Sequence, residues 1–287
     1  MTQDIERYRK VVDGAKDLPA LTPVVKKLIE MIKNPSASAT DVGELISKDV
    51  ALCATTLKLV NSPFYGLSQK VDRVTHAIVI MGFGRVKNIV LGISVLETLK
   101  SQRGVNFDFT GLWEHAIATA IAAEALATRI GSAYVDEAFV AGLLHDQGKL
   151  ILFKQFPVEF AHVQRLIDQR EMLMQEAELE VLGINHALIG TWLAEKWKFP
   201  EHLTAAIRMH HNPSMARQHR ELVWLVHAGD VFARSLGVGN GGDPFVPAFD
   251  PQVWEQLRLT PEVVDNVFGD TLNGIAKAGD FFELVRA

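Results

Sequence analysis

Apolar residues recur at helical spacing in almost every segment of this chain, and no segment alternates with the period of two that a half-buried strand requires. An all-α fold is therefore expected. Residues 21–33 put Leu21, Val24, Val25, Leu28, Ile29 and Ile32 on one face. Asn34-Pro35 should end that helix, because the residue before a proline avoids the α region. Thr40 is the expected cap of a helix over 41–47, whose Asp41 and Glu44 suit a positive N-terminus. Further helices are expected over 51–60, 74–81, 84–99, 111–130, 134–145, 157–170, 172–181, 185–196, 200–211 and 220–235. Residues 237–251, rich in Gly, Pro and Asp, read as a loop, with two more helices at 251–257 and 261–285. The pattern divides near residue 104, giving an N-terminal helical lobe (1–104), a second helical lobe (105–236) and a C-terminal loop and helical extension (237–287). The apolar face of 84–99 is long enough to pack the first two lobes together.

Composition narrows the setting. Of 287 residues, 48% are hydrophobic and 22% charged, the balance of a globular protein in water. A net charge of -5 leaves no global basic surface for nucleic acid or anionic lipid, so neither is an expected partner. A lone cysteine, Cys53, excludes an intrachain disulfide and a thiolate zinc site and fits a reducing compartment. Met1 to Arg7 has no signal-peptide shape. The longest apolar stretches, near 76–99 and 112–128, are interrupted by Arg85, Lys87, Glu114, His115 and Glu124, so no membrane span is expected. These features predict a cytoplasmic protein. Arg85, Lys87 and Arg103 are expected on a solvated face.

Chemistry concentrates around Gly142-Leu143-Leu144-His145-Asp146-Gln147-Gly148-Lys149. Alone, a His-Asp pair closing a helix is ordinarily a structural, hydrogen-bonded pair. Here His115 precedes it and His186, His210, His211 and Asp230 follow, each in or beside an apolar helical pattern. Five imidazoles and two carboxylates make a candidate metal cage. A carboxylate can span two cations where an imidazole supplies one nitrogen, so Asp146 is the natural bridge. Adjacent residues on a regular helix point about 100° apart; His210 and His211 are therefore expected at a helix end, supplied by Pro213, facing two metals. Asp230 lies in the apolar run Val226–Val231, where an unpaired carboxylate would be costly. This donor set suits iron, manganese or zinc better than magnesium, and metals about 3.5–4 Å apart activate water for phosphoester hydrolysis. Lys149 is either a solvated lysine or a contact to phosphate and to the ligand residues. His76, His162, His202, His219 and His227 read as surface or core histidines, and Phe64 and Tyr65, in the turn-forming Asn61–Gly66, as packing anchors. No serine or cysteine nucleophile motif and no phosphate-cradling glycine loop is present.

Leu18-Pro19-Ala20-Leu21, Ile46–Ala51, Asn61–Gly66, Ala77–Val90 and Gly142–Lys149 together resemble the HDOD domain, the HD-related output domain of bacterial signalling, over roughly residues 15–235. The resemblance implies an N-terminal helical bundle packed on an HD-type helical core. It also implies a regulatory role, mostly without catalysis, exercised on protein partners in a signalling pathway. The ligand pattern is similar to that of the HD-GYP phosphodiesterases, which open cyclic di-GMP. His115, His145, Asp146 and Asp230 stand in the places of the HD-superfamily ligands, His186, His210 and His211 in those of the three added histidines. Lys149 matches the lysine of the motif HDIGK. Asp146 and Lys149 are the catalytic residues this likeness implies, with one or two divalent transition metals, iron or manganese first and zinc next. Two departures stand out: Asn212-Pro213-Ser214-Met215 replaces the GYP segment, and Gly111 replaces the glutamate that would bring a third metal. Two functions stay open. One is a non-catalytic signalling module that binds a protein or a nucleotide; the other is a metal-dependent phosphohydrolase acting on a nucleotide or cyclic dinucleotide. With no receiver, kinase or cyclase pattern in the chain, the signal is expected to arrive through another protein.

Overall fold

The computed structural model describes residues 2–15, 20–34, 38–100 and 107–286. Leu18, Pro19, Pro35, Arg103 and the expected division near residue 104 lie outside them. Among the described residues there is no strand: the fold is all-α.

Six helices come first: α1 (Thr2–Gly14), α2 (Pro23–Ile32), α3 (Ala39–Ser47), α4 (Val50–Val60), α5 (Val74–Met81) and α6 (Phe83–Lys100). The cap of α3 is Ser38, not Thr40. Ser38 Oγ accepts from Asp41 N at 3.1 Å while the Asp41 carboxylate accepts from Ser38 N at 3.2 Å. This reciprocal box needs the acid three residues after the cap, and only Ser38 meets that spacing. Asp49 caps α4 by a single bond, its carboxylate accepting from Leu52 N at 3.1 Å. Helix α6 is buried around most of its circumference, because one side meets α2, α4 and α5 and another meets the next group of helices.

That group comprises α7 (Phe109–Arg129), α8 (Val135–Leu144), α9 (Gln147–Gln155), α10 (Pro157–Arg170), α11 (Met174–Leu182), α12 (His186–Lys196), α13 (Glu201–Met209) and α14 (Arg220–Ser235). After the 237–250 loop come α15 (Pro251–Gln256), α16 (Pro261–Lys277) and α17 (Gly279–Arg286). Helix α9 is not among the expected helices, which pass from 134–145 to 157–170; burial of Leu150, Ile151 and Leu152 stabilises it. The single helix expected over 261–285 is two, interrupted at Ala278. Helix α1, which periodicity does not announce, packs on α12 and α9. Helix α7 is the centre of the structure, in contact with α8, α14, α16 and α17 and buried along most of its length.

The turn after α4 anchors this packing. The Phe64 ring lies 5.9 Å from Phe139 of α8 and 5.6 Å from Phe281 of α17, so Phe64 and Tyr65 are packing anchors as expected. Arg85 does not sit on a solvated face. Its guanidinium donates to Glu124 at 2.7 Å and lies 3.6 Å from Asp136, tying α6 to α7 and α8. Burial pushes the Glu124 carboxyl up to about 7, against the pull of Arg85.

Candidate metal centre

The His-Asp pair stands at an elbow. Helix α8 stops at Leu144, His145 keeps helical angles, and Asp146 turns the chain at φ -99°, ψ 6° before α9 starts at Gln147. The elbow is held where α9 crosses α12. A Cβ on Gly148 would lie 2.0 Å from the His186 carbonyl oxygen and 2.6 Å from Gly190 N, so the two backbones touch there. This contact brings His186, at the start of α12, beside Asp146. His115 comes from the middle of α7, Asp230 from α14, and His210 and His211 follow the end of α13.

All seven expected residues converge, in two adjoining groups: Asp146, His186, His210 and His211 in one, His115, His145 and Asp230 in the other. Asp146 faces both. Its Oδ2 lies 3.5 Å from His115 Nε2 and 3.2 Å from His145 Nε2. Its Oδ1 lies 3.0 Å from His186 Nε2 and 3.7 Å from His210 Nε2. The other carboxylate, Asp230, approaches His115 Nε2 at 3.2 Å. His210 and His211 do not divide between the two groups as expected. Because α13 ends at Met209, their rings escape the helical angle and come within 3.9 Å of each other in one group.

Three imidazoles are aimed by what their far nitrogens hold. Nδ1 of His145 donates to the Gly142 carbonyl at 2.7 Å and Nδ1 of His210 to the Ile207 carbonyl at 2.8 Å. Nδ1 of His186 donates to Glu178 at 2.6 Å. These acceptors cannot donate, so Nδ1 carries the proton and Nε2 presents a lone pair to the centre. The Nε2 atoms of His115, His145 and His210, with Asp146 Oδ1 and Asp230 Oδ1, are buried without a hydrogen-bond partner. Each such orphan costs about 1–3 kcal/mol, and divalent cations fit because they would satisfy all of them together. His186 Nε2 and His211 Nε2 lie 2.8 Å apart, within hydrogen-bond distance of each other.

Charge follows the same plan. Burial acts to raise the Asp146 carboxyl, yet His145, Lys149 and His186 hold it well below the usual carboxylate range. Asp230 is held low against burial by His115. Burial pushes His115, His210 and His211 down, leaving neutral rings fit to donate to a metal. On His186 burial is the largest influence and pulls down, but the Glu178 and Asp146 carboxylates together hold the ring above its usual value. Lys149 is not solvated. Only 2% exposed, it donates to Asp146 Oδ2 at 2.5 Å and to the Gly241 carbonyl at 2.7 Å.

Three participants escaped the sequence reading. Glu178 is fully buried and also accepts from the His186 backbone N–H at 2.8 Å. A signal existed: Met174, Ala177, Glu178 and Leu182 share one helical face, so a carboxylate sits in an apolar stripe. His227, one turn before Asp230, donates from Nδ1 to the His210 carbonyl at 2.8 Å, and its Nε2 accepts from Asp250 N at 3.1 Å. Arg234, one turn after Asp230, pairs with Asp243 of the loop. His202 and His219 form a separate ring contact at 5.8 Å. Glu178→Gln should keep the fold and weaken metal binding about 10- to 100-fold, as loss of an outer-sphere carboxylate does. Competition with a chelating dye reads it; unchanged affinity would remove Glu178 from the centre.

Residues 18–213 match the HDOD domain family. An uncharacterized protein of Treponema pallidum is 27% identical over 276 residues, which is 93% of this chain but 53% of that protein. This chain therefore spans about half the length of that relative. In structure, the chain resembles an HDOD domain protein of unknown function from Geobacter sulfurreducens, with a TM-score of 0.74, 22% identity, and coverage of 99% of this chain and 97% of that one. A protein of Marinobacter aquaeolei VT8, named as a candidate signal transduction protein, gives a TM-score of 0.81 at 24% identity over 100% of this chain and 66% of that one. A third, from Shewanella amazonensis SB2B and named as a candidate metal-dependent phosphohydrolase, gives 0.65 at 19% identity, with 98% and 100% covered. With the ordered motifs, the helical fold and a match over most of its length, the chain belongs to the HDOD family.

Proposed function

We propose that this protein is a cytoplasmic, metal-holding regulatory module. In this reading, residues 1–104, 105–236 and 237–287 form its two lobes and its extension, and signalling proteins are its partners. His186, His210 and His211 would hold one ion, His115, His145 and Asp230 the other, with Asp146 between them. Such a pair of ions, when bound, supplies an activated water and charge stabilisation. The observation that carries a regulatory reading is the lack of room. The spaces beside the ligands are cavities of about 10 Å³, touching His186 and His211, and about 90 Å³, touching His115. Small-molecule sites occupy roughly 300–1,000 Å³, so these two cavities are too small to hold a nucleotide. Lys149, the expected phosphate contact, is engaged internally. The described helices include none long and apolar enough to cross a membrane.

One feature favours the phosphohydrolase reading: the carboxylate oxygens of Asp146 face the two ligand groups separately, as a bridging ligand must. Metal analysis of the purified protein, then turnover of the manganese-loaded form, separates the two. The regulatory reading expects bound transition metal and no appreciable hydrolysis of cyclic di-GMP, linear dinucleotides or a generic phosphodiester. Brisk hydrolysis that Asp146→Ala abolishes would promote the enzyme, and a metal-free protein that takes up no iron, manganese or zinc would sink both.

A further inference from the structure

The 237–250 segment lies against α7, α9, α11 and α14 beside the ligand residues, touching both backbone and charged groups. Asn240 N donates to the Gly111 carbonyl at 2.8 Å. A Cβ on Gly111 would lie 2.8 Å from the Asn240 Cβ, so the segment fills the space a longer side chain at 111 would take. Gly239, at φ +70°, comes so close to α7 that a Cβ there would lie 2.1 Å from His115 N. Next, the Gly241 carbonyl receives the Lys149 ammonium. Asp243 then places its carboxylate in a cradle. One oxygen accepts from Arg234 and from Phe245 N at 2.9 Å; the other accepts from Met174 N, in the first turn of α11, at 2.8 Å.

Loop oxygens engage two cations here, the Lys149 ammonium through the Gly241 carbonyl and the Arg234 guanidinium through the Asp243 carboxylate. The pair is deeply buried, with Arg234 and Asp243 side chains 7% and 2% exposed. Burying an ion pair is a costly way to fix a loop, since desolvation cancels much of the attraction. A planar guanidinium, backbone N–H groups and a helix N-terminus are, however, the donors that hold phosphoryl oxygens. Lys149, His186, His211, Arg234 and Asp243 share the wall of the 10 Å³ cavity, so the cradle adjoins the ligand set.

We propose that Asp243 is an internal stand-in for a phosphoryl group: the 237–250 segment occupies the anion site of Arg234 and the α11 N-terminus, and leaves it when a phosphate-bearing ligand binds. The inference rests on the metal-cage reading for its consequence, because withdrawal of the segment joins the small cavities and opens the ions to that ligand. The cradle itself is formed by side chains and backbone alone.

Calorimetry with inorganic phosphate tests it, on chelator-treated and on manganese-loaded protein. Asp243→Asn and Asp243→Ala should each bind phosphate at least tenfold more tightly than the unaltered protein, and Arg234→Gln added to Asp243→Asn should remove the gain. Folded variants that bind phosphate no better overturn the proposal. Should the variants not fold, hydrogen exchange on the unaltered protein decides. Saturating phosphate should accelerate exchange of the 237–250 amides at least tenfold without loosening α7 or α14, and unchanged protection overturns the proposal. Failure to take up metal would sink the metal-cage reading, while phosphate binding by the chelator-treated protein still decides the role of Asp243.

Discussion

Asp146→Ala should empty both halves of the cage together, lowering metal affinity by more than the roughly 10- to 100-fold typical of an outer-sphere change. The expectation follows from its position. One oxygen is 3.2 Å from His145 Nε2 and the other 3.0 Å from His186 Nε2, so this one carboxylate meets both groups. Stability should follow occupancy. A ligand present at 1,000 times its dissociation constant adds about 4 kcal/mol to the folded state, so a chelator should lower the melting temperature of the unaltered protein and leave that of the variant unmoved. Removing the carboxylate also strands Lys149, whose other acceptor is the Gly241 carbonyl. Elemental analysis is the direct measurement. A variant that retains a full metal complement would show that Asp146 is not the bridge.

Gly148→Ala is the second large effect, and it acts through packing. The added methyl would meet the His186 carbonyl oxygen and Gly190 N, backbone atoms of α12 that cannot rotate aside. Forcing α9 from α12 costs on the order of 3 kcal/mol and pulls His186 from Asp146, so denaturation midpoint and metal content should fall together. Gly269→Ala provides the opposite sign. Gly269 lies in α16, exposed, with nothing near its missing Cβ. Alanine there should stabilise by about 0.5–1 kcal/mol, the usual helix-interior difference between the two residues. Denaturant titration of both variants checks the pair, and a Gly148→Ala protein as stable as the parent would contradict the backbone contact.

Helix α14, expected over 220–235, is observed over those residues, because its apolar stripe and charged face are both written locally. Where local signals conflict, the reading fails. Ser38 and Thr40 are both acceptable caps, and only the geometry of the Asp41 box decides between them. Helix α9 was not expected, and Gly148 sits in its first turn because a close helix crossing, invisible to periodicity, requires a residue without a side chain. Glu178 was legible in principle as a carboxylate in an apolar stripe, yet the histidine it aims lies eight positions on, across a turn.

By itself the sequence determined that this chain is helical and that seven side chains of metal-ligating type occur in a particular order. Helical period and residue order are properties of the chain read in one dimension, and each ligand sits in a helix or at its end whose apolar face sends it inward. Tertiary structure alone decided how the seven divide, that His210 and His211 share one group, and that the 237–250 loop packs beside them. Those outcomes depend on rotations about helix axes and on where α13 stops. They also depend on contacts between remote positions, such as Lys149 and Gly241, which lie 92 residues apart. Packing of whole helices sets such distances, and no local pattern carries them.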